Sequence, residues 1–127
     1  MRKSMKAARW LLVLSLGVLS AGCARASMMP ENQADATLRV ENHNFNDVDI
    51  FAVHPGGTPQ RVGQVTGLSS GTITLPRALI ASVPIRFVAV PIGGFGAAGS
   101  GSLTVYGGQT ITFTIESDLA MSSAVVR

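Results

Sequence analysis

Residues 102–116 read SLTVYGGQTITFTIE. In the second half, Ile111, Phe113 and Ile115 alternate with Thr110, Thr112 and Thr114. A strand turns successive side chains to opposite faces, so this period of two marks a strand with one buried and one solvated face. β-branched and aromatic residues suit such a pleated, half-buried surface. Gly107-Gly108 separates this run from SLTVY and is a hairpin signal, because glycine takes positive φ without a Cβ clash. The stretch predicts two strands and a tight turn.

The same period recurs upstream. In TLRVEN, Leu38 and Val40 oppose Arg39 and Glu41, and in DVDIFAVH, Val48, Ile50 and Ala52 oppose Asp49, Phe51 and Val53. NHNFN at 42–46 leads to that second strand and PGGTP at 55–59 follows it; both are turn sequences. RVGQV is a short third strand, and TITL a fourth with Ile73 and Leu75 inward. PRALIAS at 76–82 makes a helical turn with Pro76 at its first position. In PIRFVAV, Ile85, Phe87 and Ala89 share one face, but Arg86, Val88 and Val90 leave the other largely apolar too, which predicts a central strand. Residues 93–101 read as a Gly/Ala/Ser loop, and DLAMSSAVVR at 118–127 as a frayed tail. About seven short strands with regularly spaced turns predict an all-β, antiparallel sandwich of immunoglobulin-like or transthyretin-like size over residues 37–117. The immunoglobulin Cys-Trp-Cys core is absent, because Trp10 and Cys23 both precede the domain.

The first 23 residues, MRKSMKAARWLLVLSLGVLSAGC, have another logic. Arg2, Lys3, Lys6 and Arg9 form a basic segment, Trp10 to Leu19 an apolar one, and Ser20-Ala21-Gly22 a run of small residues before the thiol. This is the layout of a signal peptide. The apolar run is about half of the roughly 20 residues that a span needs. Its ending resembles the lipobox of bacterial lipoproteins, although Ser20 stands where that family prefers Leu. The resemblance implies cutting after residue 22 and acylation of Cys23. Each buried methylene contributes about 0.8 kcal/mol, so two or more chains anchor stably. An ordinary secretory cut after Ala24-Arg25-Ala26 is the alternative. Residues 24–36 read as a tether with a reach of about 40 Å.

The full chain carries a formal charge of +3, but four of its ten Lys and Arg residues lie in the signal. After residue 23, six Arg stand against seven Asp and Glu, and no Lys remains, so the net charge is −1. Scattered arginines do not make the clustered surface that neutralises phosphates, which excludes nucleic acid as a partner. With Cys23 as the only cysteine, no disulfide can staple the domain, and apolar packing must hold it.

The run VENHNF…VGQVTGLSSGTITLP…IRFVAVPIGG…LTVYGGQTITFTI, over roughly residues 38–116, resembles small bacterial lipoproteins of uncharacterised function. The resemblance implies a β-sandwich and brings no activity or site residues with it.

Candidate chemistry is sparse. Gly94-Phe95-Gly96-Ala97-Ala98-Gly99 matches GxGxxG, but Ser100-Gly101 and a strand follow it rather than the helix whose N-terminus would face a pyrophosphate. Glu41, His43, Asn44, Asn46, Asp47 and Asp49 lie within nine residues, yet match no Ca²⁺ loop and alternate in direction. His43 and His54 have no nucleophile at a motif spacing. No metal, cofactor or catalysis is expected. Phe87 and Phe113 fit core positions and Phe51 a second face, which leaves Phe45, Phe95 and Tyr106 as candidate ligand contacts. The sequence therefore reads as a lipid-anchored envelope module, held to the membrane by acyl chains on Cys23, that is structural or meets an envelope protein. Because Ala24 and not Asp follows Cys23, the lipoprotein resemblance implies the outer membrane in a host with two, and the alternative location is secreted or periplasmic. The alternative role is a small-ligand or glycan-binding module using the 92–101 loop.

Overall fold

Alternation assigns the inward positions. Leu38 and Val40, Val48 and Ile50, Ile85 and Phe87, and Ile111, Phe113 and Ile115 are all buried. The computed structural model describes residues 34–82 and 84–127. The expected signal, Cys23 and most of the expected tether lie outside the described residues. The strands are β1 (Ala36–Asn42), β2 (Val48–Val53), β3 (Gln60–Val65), β4 (Ser69–Leu75), β5 (Ile85–Pro91), β6 (Ala98–Leu103), β7 (Thr110–Ile115) and β8 (Ser123–Val126). A one-turn helix, α1 (Arg77–Ile80), joins β4 to β5, and a 3-10 turn at Leu119–Met121 precedes β8. Two four-stranded sheets, ordered β4-β1-β7-β8 and β3-β2-β5-β6, pack their inner faces together as a β-sandwich. Phe87 and Phe113 are fully buried, as their positions on the apolar stripes predict.

Several details depart from the sequence reading. The sandwich has eight strands, and β1 pairs with β7 in parallel, Leu38 beside Ile111 and Val40 beside Phe113. The tail at 118–127 is not frayed. Its last residues form β8 against β7, Phe113 beside Ala124 and Ile111 beside Val126, and Thr110 and Arg127 exchange two backbone bonds of 2.9 Å. Ala124 and Val126 pack against the core, so the tail is held by apolar contact as well as by its ladder.

The 93–101 loop is shorter than expected, because Ala98 already opens β6. Ala98 is buried opposite Ala89, and Gly99 pairs with Val88. Small residues carry little strand signal of their own; the ladder to β5 makes this strand. Gly107-Gly108 does turn the chain, with Gly108 at φ +82° and Gln109 N–H donating to Tyr106 O at 3.2 Å. It is not a hairpin, because β6 and β7 belong to different sheets. Val105 is buried and Gly108 N–H donates to Asp35 O, so the segment crosses the core edge and docks beside the start of β1. Asp35 also accepts from Arg77 N–H, so the ordered domain begins ahead of residue 37. Pro76 is the N-cap of α1 and not its first residue.

Candidate functional site

β1 fixes two opposite ends. Asp35 and the Tyr106–Gln109 turn lie at its start, and the β1–β2 turn begins at its end, about 20 Å away for a seven-residue strand. Register brings four connections to that second end. Asn42 pairs with Ser69 and Ile115, and Val48 with Val65 and Pro91. The β1–β2, β3–β4, β5–β6 and β7–β8 connections therefore meet there.

They meet around Asn42, which is 1% exposed. Its Nδ2 donates to Asn46 O at 2.9 Å and Thr66 O at 3.1 Å, and its Oδ1 accepts from Asn44 N at 3.0 Å. Asn44 repeats the turn, its Oδ1 accepting from Asn46 N at 3.0 Å. Asp47 Oδ1 accepts from Gly67 N–H at 2.9 Å, and Leu68 N–H donates to Asn44 O. Ile92 N–H donates to Asp47 O, and Asn46 Nδ2 to Ile92 O. Ser117 Oγ donates to His43 O, and His43 Nδ1 lies 3.2 Å from Glu116. Short Asn and Asp side chains bond nearby backbone readily, which is why NHNFND makes a turn. Here they also tie three further connections to it. Gly67 is required by close approach, because a Cβ there would lie 2.1 Å from Phe45 O.

This frame presents apolar side chains to solvent. Phe95 is 98% exposed and Phe45 79%; Leu68 on the β3–β4 connection, Ile92 on the same connection as Phe95 and Met121 on the β7–β8 connection are also exposed at this end. Leu68 holds φ at +53°, a left-handed conformation that costs a non-glycine residue roughly 1–2 kcal/mol. Of the three aromatic candidates, Phe45 and Phe95 share this end. Tyr106, 57% exposed, is at the opposite one and cannot join them. Sequence reading missed Leu68 and Met121, and included Ile92 only as the first residue of the 92–101 loop. The available signal was large apolar residues inside turn sequences, in TGLSS and PIGG.

The polar cluster at 41–49 is distributed. Glu41 meets Arg39, His43 meets Glu116, and Asp49 accepts two bonds from Arg61, at 2.7 and 2.9 Å. Among the described residues, no group of three or more His, Cys, Asp or Glu is placed to hold a metal ion. The GxGxxG run leads directly into β6.

No family model matches this chain, and no curated protein matches it. Among solved structures it is similar to the NMR structure of a protein from Eubacterium rectale, at 14% identity and a TM-score of 0.45, over 77% of this chain and 93% of that one. The site is therefore read from its own residues.

Proposed function

We propose that this protein is a non-catalytic, lipid-anchored envelope module that binds a protein partner through the loop end built on Asn42. The observation that carries this reading is the exposure of Phe45, Leu68, Ile92, Phe95 and Met121 on four connections bonded into one frame. Contiguous exposed apolar side chains mark interaction surfaces. A preorganised frame lowers the entropy lost on binding. The left-handed Leu68 supports the same reading, since local strain clusters where function needs a side chain in one place. A glycan-binding role on the 92–101 loop has less support. That loop yields Ala98–Gly101 to β6, and Asn42, Asn44 and Asn46 direct their amides to backbone rather than outward.

Two experiments test the reading. A photo-crosslinking phenylalanine analogue at Phe95 should capture one defined envelope protein in cells of the native host, and the same analogue at Tyr106 should not. Loss of that product in Phe45→Ala would confirm the surface, whereas equal capture at both ends, or at neither, would reject it. For the anchor, Cys23→Ser should abolish incorporation of labelled fatty acid. A wild type that takes up no label would instead establish cutting after Ala26 and plain secretion.

A further inference from the structure

The outward face of the β3-β2-β5-β6 sheet has a pattern that the loop end does not explain. Along β5, Arg86, Val88 and Val90 point outward. Their cross-strand neighbours on β2 are Val53 beside Arg86 and Phe51 beside Val88. On the other side of Arg86 stands Ser102 of β6. Strand β5 is central, as its two apolar faces suggest, yet Val90 stays exposed and Phe51, Val53 and Val88 are half-buried.

Two adjoining clefts follow this strip. One, of about 430 Å³, is lined by Phe51, Val53, Pro59, Val88, Val90 and Arg86. The other, of about 350 Å³, includes His54, Gly56, Gly57, Ser102 and again Arg86. The first is mainly apolar, the second mixes polar groups with Val53, Pro55 and Ile85, and Arg86 lines both. Arg86 makes no ion pair among the described residues, whereas Arg61 on the same sheet is engaged by Asp49 and Gln64. His54 Nε2 is buried with no hydrogen-bond partner, the one such side-chain atom among the described residues. A buried polar atom left unpaired is unusual in a native fold and calls for an explanation.

We infer that this groove binds a single-chain anionic amphiphile, an aliphatic carboxylate whose head meets Arg86 and whose tail lies on Phe51, Val88 and Val90. The charge complementarity is specific. A guanidinium offers a planar fork of N–H donors that matches a carboxylate; Val53 and Ser102 beside Arg86 carry no charge, and the carboxylate on this strip, Asp49 beside Val90, is already paired with Arg61. Arg86 and Val90 are four residues apart, about 13 Å along the strand, so head and tail fall on one extended line. An extended peptide suits the groove less well. The strip runs over paired strands, whose backbone groups are already used in the β2–β5 ladder. A peptide laid there would have to desolvate its amides without partners, while an alkyl chain carries none. The inference is independent of the loop-end reading, because it concerns another face of the domain.

The test is a residue-resolved NMR titration of the full chain with sodium decanoate below its micelle concentration. Decanol and sodium sulfate are the controls. Because the signals are resolved by residue, uptake elsewhere on the chain does not count. Decanoate should shift the amides of Phe51, Val53, Arg86, Val88 and Ser102 together and saturably. Sulfate should shift only the Arg86 and Ser102 end. Decanol should bind at least about tenfold more weakly, and Arg86→Gln should lose at least about tenfold in decanoate affinity, the size of one well-placed charged bond. Arg86 is exposed, so the variant is expected to fold, and an unchanged amide spectrum checks that. Equal affinity for decanol and decanoate, unchanged affinity in Arg86→Gln, or shifts that do not saturate would each overturn the inference.

Discussion

At one end of the sandwich, Asn42 joins three stretches of chain through its side chain, and Asp47 and Asn44 add further bonds between connections. At the other end, the 106–109 turn is closed by its own backbone bond and by Gln109 Oε1, which accepts from Tyr106 N at 2.9 Å, and Asp35 docks it to β1. The first end is tied by one buried side chain, Asn42, and by half-buried Asn44, Asn46 and Asp47, and shows five large apolar groups to water. The second is closed mainly by local bonds and shows one, Tyr106. Ordinary loops expose polar residues and tolerate movement. Rigidity joined to apolar exposure is the combination that a contact surface needs, and only the Asn42 end has it.

That contrast can be broken by substitution. Both ends hang on the same core, so Phe113→Ala should remove both, costing about 3–5 kcal/mol through lost transfer energy and a cavity. Thr112→Ala, one position along the same strand but outward, should stay within about 0.5 kcal/mol. Urea denaturation would read both, and equal costs would mean that β7 is not one-sided in the way its alternation implies.

The two ends should then separate. Asn42→Ala removes a buried amide and leaves the part-buried carbonyls of Asn46 and Thr66 and N–H of Asn44 without that partner, and should cost about 2–3 kcal/mol. Gln109→Ala removes one bond near solvent and should cost about 0.5–1 kcal/mol. Comparable losses would show that the first end is no more tightly built than the second. Hydrogen exchange at Asn44, Asn46 and Gly67 gives an independent reading: their amides should be protected in the wild type and released in Asn42→Ala.

A smaller effect with opposite signs is expected at Leu68. Leu68→Gly relieves a left-handed conformation and should leave stability unchanged or raise it by about 1 kcal/mol. It should also weaken capture of the partner at Phe95. Lower stability with unaltered capture would remove Leu68 from the contact surface. Smallest of all are the stability changes for Phe45→Ala, Phe95→Ala and Tyr106→Ala, each within about 0.5 kcal/mol because these side chains are exposed. Only the first two should lower partner affinity, as measured by interface titration.

Period-two alternation was enough to read the class of fold and most of its core from the chain, because a sheet with one buried face must alternate. The strand faces of Leu38, Ile50, Phe87 and Phe113 followed from it directly. The turn at NHNFN was legible for a local reason as well, since Asn bonds its own neighbourhood. The expectation of a signal and of acylation at Cys23 rests on the sequence alone, on the order of basic, apolar and small residues.

Other features depended on contacts distant in sequence. Ala98 to Leu103 has little strand propensity and becomes β6 by pairing with β5, and 118–127 carries β8 because Ala124 and Val126 find the core beside β7. The parallel β1–β7 pair and the split of β6 from β7 depend on which sheet each strand joins, a choice that a local pattern does not encode. For the same reason the chain alone offered Phe45, Phe95 and Tyr106 as equals. Only the register of β1, β2, β5 and β7 decided that the first two share an end with Leu68, Ile92 and Met121, and that Tyr106 stands a strand's length away.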